Sequence, residues 1–418
     1  MHHFFRNCVF FNFTVLISTS ATAGGFYISE IATPGSVGTA GVSNPVNIYD
    51  SASAITQPAG MTYIKEDLTR VGGQILYPVN RFDSDVATGG GSDGGDSGIV
   101  GAAPGLSAVK VLNDDWRVGL GITAALGGGL DYGDDFVGRY QATKSVLQGL
   151  SVVGSVAYKV NDQLSIGGGI AAVYTVLEMD IAVNQMGADG EISMEELDDW
   201  SPQGILGLTY EFDDQWLLGV SYRSESSVEL EGDFKTKGVT NPILNKVTSG
   251  LDNVEMEFDL PQALTLGLKY QYRPDIAIMF KLSWEDFSEF SDNALRISGS
   301  NPIVINDDLE RNWKDVWGVG IAGVHKRGKH IYSAGISYDS SPVDDEDRTF
   351  DLPVDEQFSV GLGYAWYDPK RELQFSLSSS LKWMGDAKID QTAQGVRAAG
   401  EFSTNYLIFI SGSMSWYF

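Results

Sequence analysis

The sequence is poor in the residues on which most enzymatic and metal chemistry depends. Its 418 residues include one cysteine, Cys8, and four histidines. One cysteine excludes a disulfide framework, and so few Cys and His side chains leave almost no ligand set for zinc. The same scarcity removes most Ser-His-Asp and Cys-His arrangements, because each needs a histidine as base. We therefore predict no catalytic residues, no metal site and no cofactor.

Positive charge is also scarce. The chain has 28 Lys+Arg against 55 Asp+Glu, a net charge of −27. Nucleic acid is excluded as a partner, because binding phosphates requires a cationic face. The segment Asp189–Glu196 resembles the second half of an EF-hand loop. However, Gln185 and Gly187 stand where that loop needs oxygen-rich ligands, so an acidic external loop is predicted instead. Divalent cations can bridge such loops to lipopolysaccharide.

Long apolar runs are missing as well. No stretch reaches the roughly 18 consecutive apolar residues that a membrane-spanning helix requires. Residues 1–23 instead have the parts of a secretory signal peptide: Arg6, the short apolar run Val9–Ile17 and the small residues Ala21-Thr22-Ala23. We expect cleavage after Ala23, which leaves a mature chain without cysteine.

Alternation of apolar and polar residues indicates the fold class. It extends over 263–271, 276–284, 372–383 and 406–418. A period of two predicts β-strands with one apolar and one polar face. These segments exceed the roughly 5–6 residues of a typical strand in a soluble protein, which favours tilted strands that cross a bilayer.

The connections between these segments alternate in length. Short polar turns are predicted at Asn113–Asp115, Asn161–Asp162, Asp213–Asp214, Arg273–Asp275, His325–His330 and Asp368–Arg371. Long segments lie near 81–104, 127–146, 178–202, 225–260, 285–312, 340–355 and 385–401. Six turns and seven long loops imply fourteen strands. Residues 67–418 are thus predicted to form an all-β, antiparallel transmembrane barrel in a Gram-negative outer membrane, with periplasmic turns.

The two ends of the mature chain carry further signals. Residues 24–66 are rich in Gly, Ala and Ser with interspersed apolar residues, and too short for an independent domain. We predict that they fold inside the barrel as a hatch; a disordered periplasmic tail is the alternative. Trp416-Tyr417-Phe418, at the end of an alternating strand, resembles the signal that the barrel-assembly machinery reads.

Several motifs together resemble the FadL/TodX family of outer-membrane long-chain fatty acid and hydrocarbon channels. The most specific is Gly335–Val343, followed by Arg348, Leu352-Pro353 and Gly361–Tyr364. Similar in kind are Asn312–Asp315 with Trp317, Ser283–Ser288, Gly219–Ser224, Leu260-Pro261 and Val137–Tyr140. The resemblance covers nearly the whole mature chain. It implies a fourteen-stranded barrel, an N-terminal hatch and passive transport.

The resemblance also implies a site. The family's hatch motif, Asn-Pro-Ala, is matched here by Gln57-Pro58-Ala59, in which Gln57 departs from the pattern. The apolar hatch residues Phe26, Ile28 and Ile31 are candidates for the wall of a substrate pocket. Arg139 and Lys144 are candidate cations for a substrate carboxylate. Ordinary hatch packing and loop ion pairs are the alternatives for these residues.

We therefore predict a monomeric channel, not an enzyme, for hydrophobic small molecules. Substrate would be captured at the outer loops, pass to a pocket beside the hatch and leave laterally into the membrane. Long-chain fatty acids are the first choice, and aromatic or aliphatic hydrocarbons the second. A general porin and a surface adhesin or structural barrel remain alternatives, and a barrel hydrolase is the weakest, for want of a suitably placed histidine.

Overall fold

A computed structural model of the chain describes residues 28–30, 33–185 and 187–418. The predicted signal peptide, Phe26 and Ile31 lie outside these ranges. Short helical segments come first along the described chain and strands dominate the rest. Among the described residues, no helix combines the length and the apolar character needed to cross a membrane.

Nineteen strands and a few short helices make up the described chain. The strands are β1 (Leu68–Ala87), β2 (Gly101–Val111), β3 (Trp116–Asp131), β4 (Lys144–Lys159), β5 (Leu164–Val183), β6 (Gly190–Glu211), β7 (Trp216–Arg223), β8 (Ser226–Lys237), β9 (Leu251–Leu260), β10 (Ala263–Arg273), β11 (Ile276–Glu285), β12 (Asp292–Gly299), β13 (Ile305–Glu310), β14 (Val316–Arg327), β15 (His330–Asp339), β16 (Gln357–Asp368), β17 (Leu373–Trp383), β18 (Ile389–Ala393) and β19 (Val396–Tyr417). The α-helices are α1 (Pro34–Val37), α2 (Ser53–Thr56) and α3 (Pro242–Thr248), and 3-10 turns span Asn44–Val46, Pro58–Tyr63 and Phe287–Ser291.

Fourteen of the described strands close into an antiparallel barrel, as the sequence predicts. They are β1–β7, β10, β11, β14–β17 and β19. The first and last strands complete the ring, because β1 pairs with β19 from Leu68 opposite Tyr417 to Ala87 opposite Ala398. Closure pairs the first strand with the last and so removes the two free edges of an open sheet, which a bilayer does not tolerate.

The alternation separates a lipid-facing surface from a polar lumen. Along β17, Phe375, Leu377 and Leu381 are exposed on the outer face, whereas Ser378 and Lys382 are buried in the lumen. The last strand repeats the pattern, with Tyr406 and Ile410 outside. This is the burial expected of a membrane barrel, in which apolar side chains meet lipid.

The six predicted short turns lie at one end of the barrel, and the long segments lie at the other. The long segments are more ordered than loops. Residues 178–202 continue the hairpin β5–β6, and β8, β9, β12, β13 and β18 extend the sheet beyond the barrel. Two apolar clusters fill this extension, one of them built around Phe82, Phe136 and Phe350.

Candidate functional site

The helical segment that precedes β1 lies inside the barrel, against a wall lined with glycine. An added Cβ atom at any of nine inward positions would come within 3.0 Å of this segment. These positions are Gly119, Gly121, Gly167, Gly207, Gly219, Gly267, Gly320, Gly335 and Gly361. The closest is Gly219, whose Cβ would lie 1.8 Å from the carbonyl oxygen of Pro45. The nearest hatch atom is a backbone atom at Gly167, Gly219, Gly335 and Gly361 and a side-chain atom at the other five. Glycine therefore allows a close approach, and we call residues 33–66 the hatch. The predicted boundaries at residues 24 and 66 remain a prediction.

Three polar contacts fix the hatch and the residues before it to the wall. The Asp50 carboxylate lies 2.9 Å from the Arg70 guanidinium, and Arg117 donates to the carbonyl oxygen of Ile64. Glu30, which is fully buried, lies 3.2 Å from Lys382 Nζ. Burial alone would raise the pKa of Glu30, but the charge and hydrogen bond of Lys382, the hydrogen bond of Ser29 and the charge of Lys281 together outweigh it, and the pKa is lowered. Glu30 is therefore an anion held by a buried cation.

The motif Gln57-Pro58-Ala59 lies where the hatch meets β5, β6 and β7. Gln57 Nε2 donates to the carbonyl oxygens of Pro45 at 2.8 Å, Val220 at 3.0 Å and Leu208 at 3.3 Å. Its amide thus joins the hatch to two strands of the wall. The extra methylene relative to the family's asparagine gives this amide its reach. Whether the motif governs transport remains a prediction.

A small cavity, of about 100 Å³, lies between the start of the described chain and the wall. Ile28 and Ser29 line one side, and Thr123 and Ala124 of β3 line another. Lys281, Arg223 and Glu285 bring charge to the opposite wall. The Lys281 Nζ lies 3.7 Å from Asp339 Oδ1, and only 8% of Lys281 is exposed. The cavity therefore combines an apolar side with buried charged groups.

The wall is interrupted beside this cavity. The ladder between β2 and β3 has seven pairs and ends at Gly105 opposite Thr123. Just beyond, Ala125 is an extra residue in β3, since Ala124 and Leu126 pair with consecutive residues of β4. On the edge of β3 that faces β2, pairing resumes at Leu130, which bridges Gly98. Residues 124–128 therefore have no partner strand on that edge, and we call this stretch the gap.

The Ile28 amide donates to the carbonyl oxygen of Ala125 at 3.1 Å. The chain before the hatch therefore contacts the bulge directly, and Ile28 borders the cavity. Of the three predicted wall residues, Ile28 is the one that the structure describes. Its role in binding remains a prediction.

Arg139 and Lys144, the predicted cations, lie at the long-loop end, away from this cavity. Arg139 Nε is 2.8 Å from Asp189, and its other nitrogens donate to Gly89, Gly90 and Tyr140. Lys144 Nζ is 2.7 Å from Glu178. Both cations are therefore engaged in loop ion pairs, the alternative reading of these residues. A role in substrate binding remains a prediction that this geometry does not favour.

The lumen cations Lys281 and Arg223 were missed from the sequence. The signal was available, because Lys281 stands between Phe280 and Leu282 in an alternating strand. An ionisable residue at membrane depth indicates a functional site by default. In the described part of the chain, His, Cys, Asp and Glu side chains form no group of three or more able to hold a metal ion.

Fold and site together define a class: an outer-membrane β-barrel closed by an internal N-terminal hatch. A family model described as "Outer membrane protein transport protein (OMPP1/FadL/TodX)" matches residues 14–409. The chain therefore belongs to the FadL/TodX family of outer-membrane transporters, whose members carry fatty acids and hydrocarbons. Its location is the outer membrane.

Individual relatives are distant but match over nearly their whole length. The long-chain fatty acid transport protein of Escherichia coli O6:H1 is 22% identical over 95% of both chains. Outer membrane protein P1 of Haemophilus influenzae is 24% identical over 85% of this chain and 88% of its own. A Pseudomonas aeruginosa FadL homologue superposes with a TM-score of 0.85 at 20% identity, over 94% of this chain and all of that chain. The Pseudomonas putida toluene transporter TodX gives 0.69 at 17% identity, over 96% of this chain and 100% of its own.

Proposed function

We propose that this protein is a passive channel that takes up long-chain fatty acids. Substrate is captured among the outer loops, passes to the cavity beside Ile28 and leaves sideways into the bilayer between β2 and β3. The names of curated relatives support the substrate class, because several that match over 94–95% of the chain are long-chain fatty acid transport proteins. The protein acts as a monomer and not as an enzyme.

The observation that carries the proposal is the gap at residues 124–128 of β3 beside the cavity. An apolar chain gains about 0.8 kcal/mol for each CH₂ that it removes from water. The membrane interior is the nearest place where a long chain makes that gain, whereas the hatch contacts the wall closely at nine glycines. A lateral route is therefore shorter and more favourable than a route past the hatch.

The charged side of the cavity fits a carboxylate. Lys281 and Arg223 lie opposite the apolar residues Ile28 and Ala124, so an amphiphile can place its head and its chain on different walls. Charge-assisted hydrogen bonds of this kind are stronger than neutral ones. Lys281 and Arg223 thus replace Arg139 and Lys144 as our preferred carboxylate ligands.

Uptake of neutral hydrocarbons is the second candidate. The net charge of −27 repels a carboxylate that approaches the outer loops, whereas toluene is unaffected. Lys281 is also partly neutralised by Asp339. These two observations favour a neutral substrate.

The test is uptake of labelled oleate and labelled toluene by intact cells, with and without the protein. Deleting Ala125 removes the bulge and allows β3 to continue its ladder with β2. We expect this deletion to abolish uptake of the true substrate. Deletion of Asp85 is the matched control, because it removes an extra residue of β1 near the long-loop end.

The outcomes separate the candidates. Oleate uptake that depends on Ala125 and falls in Lys281→Met supports the fatty acid channel. Toluene uptake alone moves the assignment to hydrocarbons. If neither compound enters faster than in cells without the protein, the channel proposal fails and an adhesin becomes the better hypothesis.

Partners outside the lumen are also proposals. We infer that Trp416-Tyr417-Phe418 engages the barrel-assembly machinery and that the acidic outer loops meet lipopolysaccharide through divalent cations. Tyr417 pairs with Leu68 in the closing seam, and Phe418 is exposed at the short-turn end. The Phe418 backbone N–H donates to the Asp67 carbonyl oxygen, but its exposed ring is available for recognition.

A further inference from the structure

A second, larger cavity lies on the other face of the hatch. It measures about 440 Å³ and lies between hatch residues 46–50 and the wall, at the short-turn end. That volume falls in the roughly 300–1,000 Å³ range of small-molecule sites. The 3-10 turn Asn44–Val46 separates the two cavities, since Asn44 and Pro45 line the first and Val46 lines the second. The second cavity is thus distinct from the proposed entry site.

The body of this cavity is apolar. Its wall includes Val46, Ala277, Met279, Val324 and Ile331. Its hatch side includes Tyr49, which keeps 55% of its surface exposed although it lies inside the lumen. Large apolar side chains that border open space inside a barrel leave room for an apolar ligand.

The rim of the cavity is basic. Lys326 and Lys329, on the turn between β14 and β15, line its mouth. Lys329 Nζ lies 3.5 Å from Asp368, and Lys326 has no ion-pair partner among the described residues. The buried Arg70 also lines the cavity, but Asp50 neutralises it at 2.9 Å. Asp275 also lines the mouth, but it lies 3.2 Å from Arg273. Among the described residues that line the cavity, Lys326 is therefore the cation without an ion-pair partner.

This basic rim differs from three of the other short turns of a strongly acidic chain. The turns that join β2–β3, β4–β5 and β6–β7 carry aspartates, namely Asp114, Asp115, Asp162, Asp213 and Asp214. The turn at the cavity instead carries Lys326, Arg327 and Lys329. An apolar pocket with cations at its mouth is complementary to an anionic amphiphile.

We propose that this cavity is a second binding site, for a single-chain amphiphile with a carboxylate head. Lys326 and Lys329 hold the carboxylate, and the chain lies along Met279, Val324 and Ile331. The site opens at the short-turn end and does not depend on lateral release through β3. It gives the protein a place to hold a long-chain carboxylate on the periplasmic side of the hatch.

The test uses the full-length protein in phosphatidylcholine nanodiscs with a diazirine-labelled palmitate. Crosslinked peptides are mapped by mass spectrometry. We expect labelling in residues 277–279 and 324–331. The double variant Lys326→Gln/Lys329→Gln should lower this labelling by about tenfold, the factor that corresponds to about 1.4 kcal/mol for a lost charge-assisted contact. Labelling by the matching diazirine alcohol should not change.

Two further variants test whether the labelling depends on the lysines and on the cavity in particular. Lys370→Gln/Arg371→Gln removes two cations from a neighbouring turn that does not line the cavity, and should have no effect. Val324→Trp fills the cavity and should abolish labelling by both probes. Folding of each variant is checked by the shift in gel mobility on heating. Because the lysines lie on an exposed turn, their variants test the proposal even if Val324→Trp does not fold.

Three results would overturn the proposal of a second binding site. Equal labelling of wild type and the double lysine variant by the palmitate overturns the proposal, as does labelling confined to the outer loops and the first cavity. Loss of labelling when phosphatidylglycerol is added to the nanodiscs assigns the basic rim to lipid headgroups and overturns it as well. Oleate uptake is expected to stay normal in the lysine variants, so this test and the uptake test fail independently.

Discussion

Two pairs of neighbouring strands in the barrel form ladders of the same length, but only one of them leaves a strand edge without a partner. The ladder between β2 and β3 and the ladder between β6 and β7 each contain seven pairs. Beyond β7, however, Ser224 and Ser226 donate to Gly204 and Pro202 of β6, and β8 then pairs with β6 between Glu191 and Asp198. Beyond β2, residues 124–128 of β3 stay paired with β4, but their β2-facing edge has no partner strand in the described sheet until Gly129 and Leu130. A short ladder is therefore a gap only where no other strand covers the edge.

The contacts between the hatch and the wall also differ between these two parts of the barrel. Near β6 and β7 it lies so close to the wall that glycine is required at Gly207 and Gly219. Beside residues 124–128 of β3 the contact passes instead through Ile28, at the edge of a cavity, although the hatch also lies close to Gly119 and Gly121 nearer the start of that strand. We call the wall at β6 and β7, where Gly219 meets the hatch backbone, the sealed side. We call the wall beside residues 124–128 of β3, where Ile28 lies against the bulge, the open side. Four predictions test this difference, from the largest expected effect to the smallest.

Gly219→Val should disrupt the close contact between the hatch and the wall on the sealed side. Its Cβ would lie 1.8 Å from the Pro45 carbonyl oxygen, and a backbone atom cannot yield as a flexible side chain can. Overlap of this degree exceeds the roughly 1–3 kcal/mol cost of ordinary overpacking, so the hatch should leave its seat. We expect cells to become several-fold more sensitive to a large polar antibiotic. Gly154→Val is the control, because a Cβ there meets nothing within 4 Å. Equal sensitivity of the two variants would contradict the sealing role of Gly219.

The ion pair of Glu30 and Lys382 should hold the open side. Glu30→Gln and Lys382→Met each leave a buried group without its partner, which costs about 3–5 kcal/mol. We expect each single variant to speed amide hydrogen exchange in the chain before the hatch. The double variant should be much closer to wild type, because it removes both charges together. Additive effects in the cycle would show that the two groups do not stabilise each other.

Much of this architecture was predictable from the sequence, because period-two alternation and turn chemistry are local. The fourteen strands and the six turns follow from such patterns. The extension of the sheet by β8, β9, β12 and β13 was missed, because these strands fall within segments that the turn spacing assigns to long loops. The signal was available in β9, where Val254, Met256 and Phe258 alternate with polar residues. The two lumen cavities also depend on which residues of distant strands face one another. That is why Arg139 was favoured on resemblance, while Lys281 was passed over.

Gln57 should stabilise the sealed side by a smaller amount. Its amide donates to the carbonyl oxygens of Pro45, Leu208 and Val220, so Gln57→Leu removes three hydrogen bonds, of which the one to Pro45 is buried. Each such loss costs about 1–3 kcal/mol. Gln57→Asn, the family's residue, should lie between Leu and wild type, because its shorter side chain cannot span all three acceptors. The measurement is protease resistance of the hatch in purified protein. If Gln57→Leu and Gln57→Asn show the same protease resistance, the length of the Gln57 side chain is unimportant for holding the hatch.

The smallest effect concerns the loop between β15 and β16, residues 340–356, which lies over the outer end of β3 and which we call the cover. The loop between β15 and β16 places Phe350 against Phe82 and Phe136, and Tyr132, just after β3, donates to the Phe350 carbonyl oxygen. Arg311 holds this loop through Asp351 at 2.6 Å. Burial would raise the pKa of Asp351, but the charge and hydrogen bonds of Arg311 outweigh it and lower the pKa.

A lowered pKa means that the Asp351 ion pair stabilises the cover at neutral pH and loses that stability in acid. The contribution is fully present above the unfolded value of about 4 and disappears as the pH falls through the lower, folded value. We expect proteolysis within residues 340–355 to be constant from pH 7 to pH 5 and to rise below about pH 4, measured with an acid-active protease. In Asp351→Asn the loop should be cleaved faster at pH 7, with a much weaker dependence on pH. If the variant keeps the wild-type pH profile, another carboxylate controls the cover. Because the cover lies over the outer end of β3, its loosening should also expose the approach to the gap, whereas the sealed wall at β6 and β7 should be unaffected.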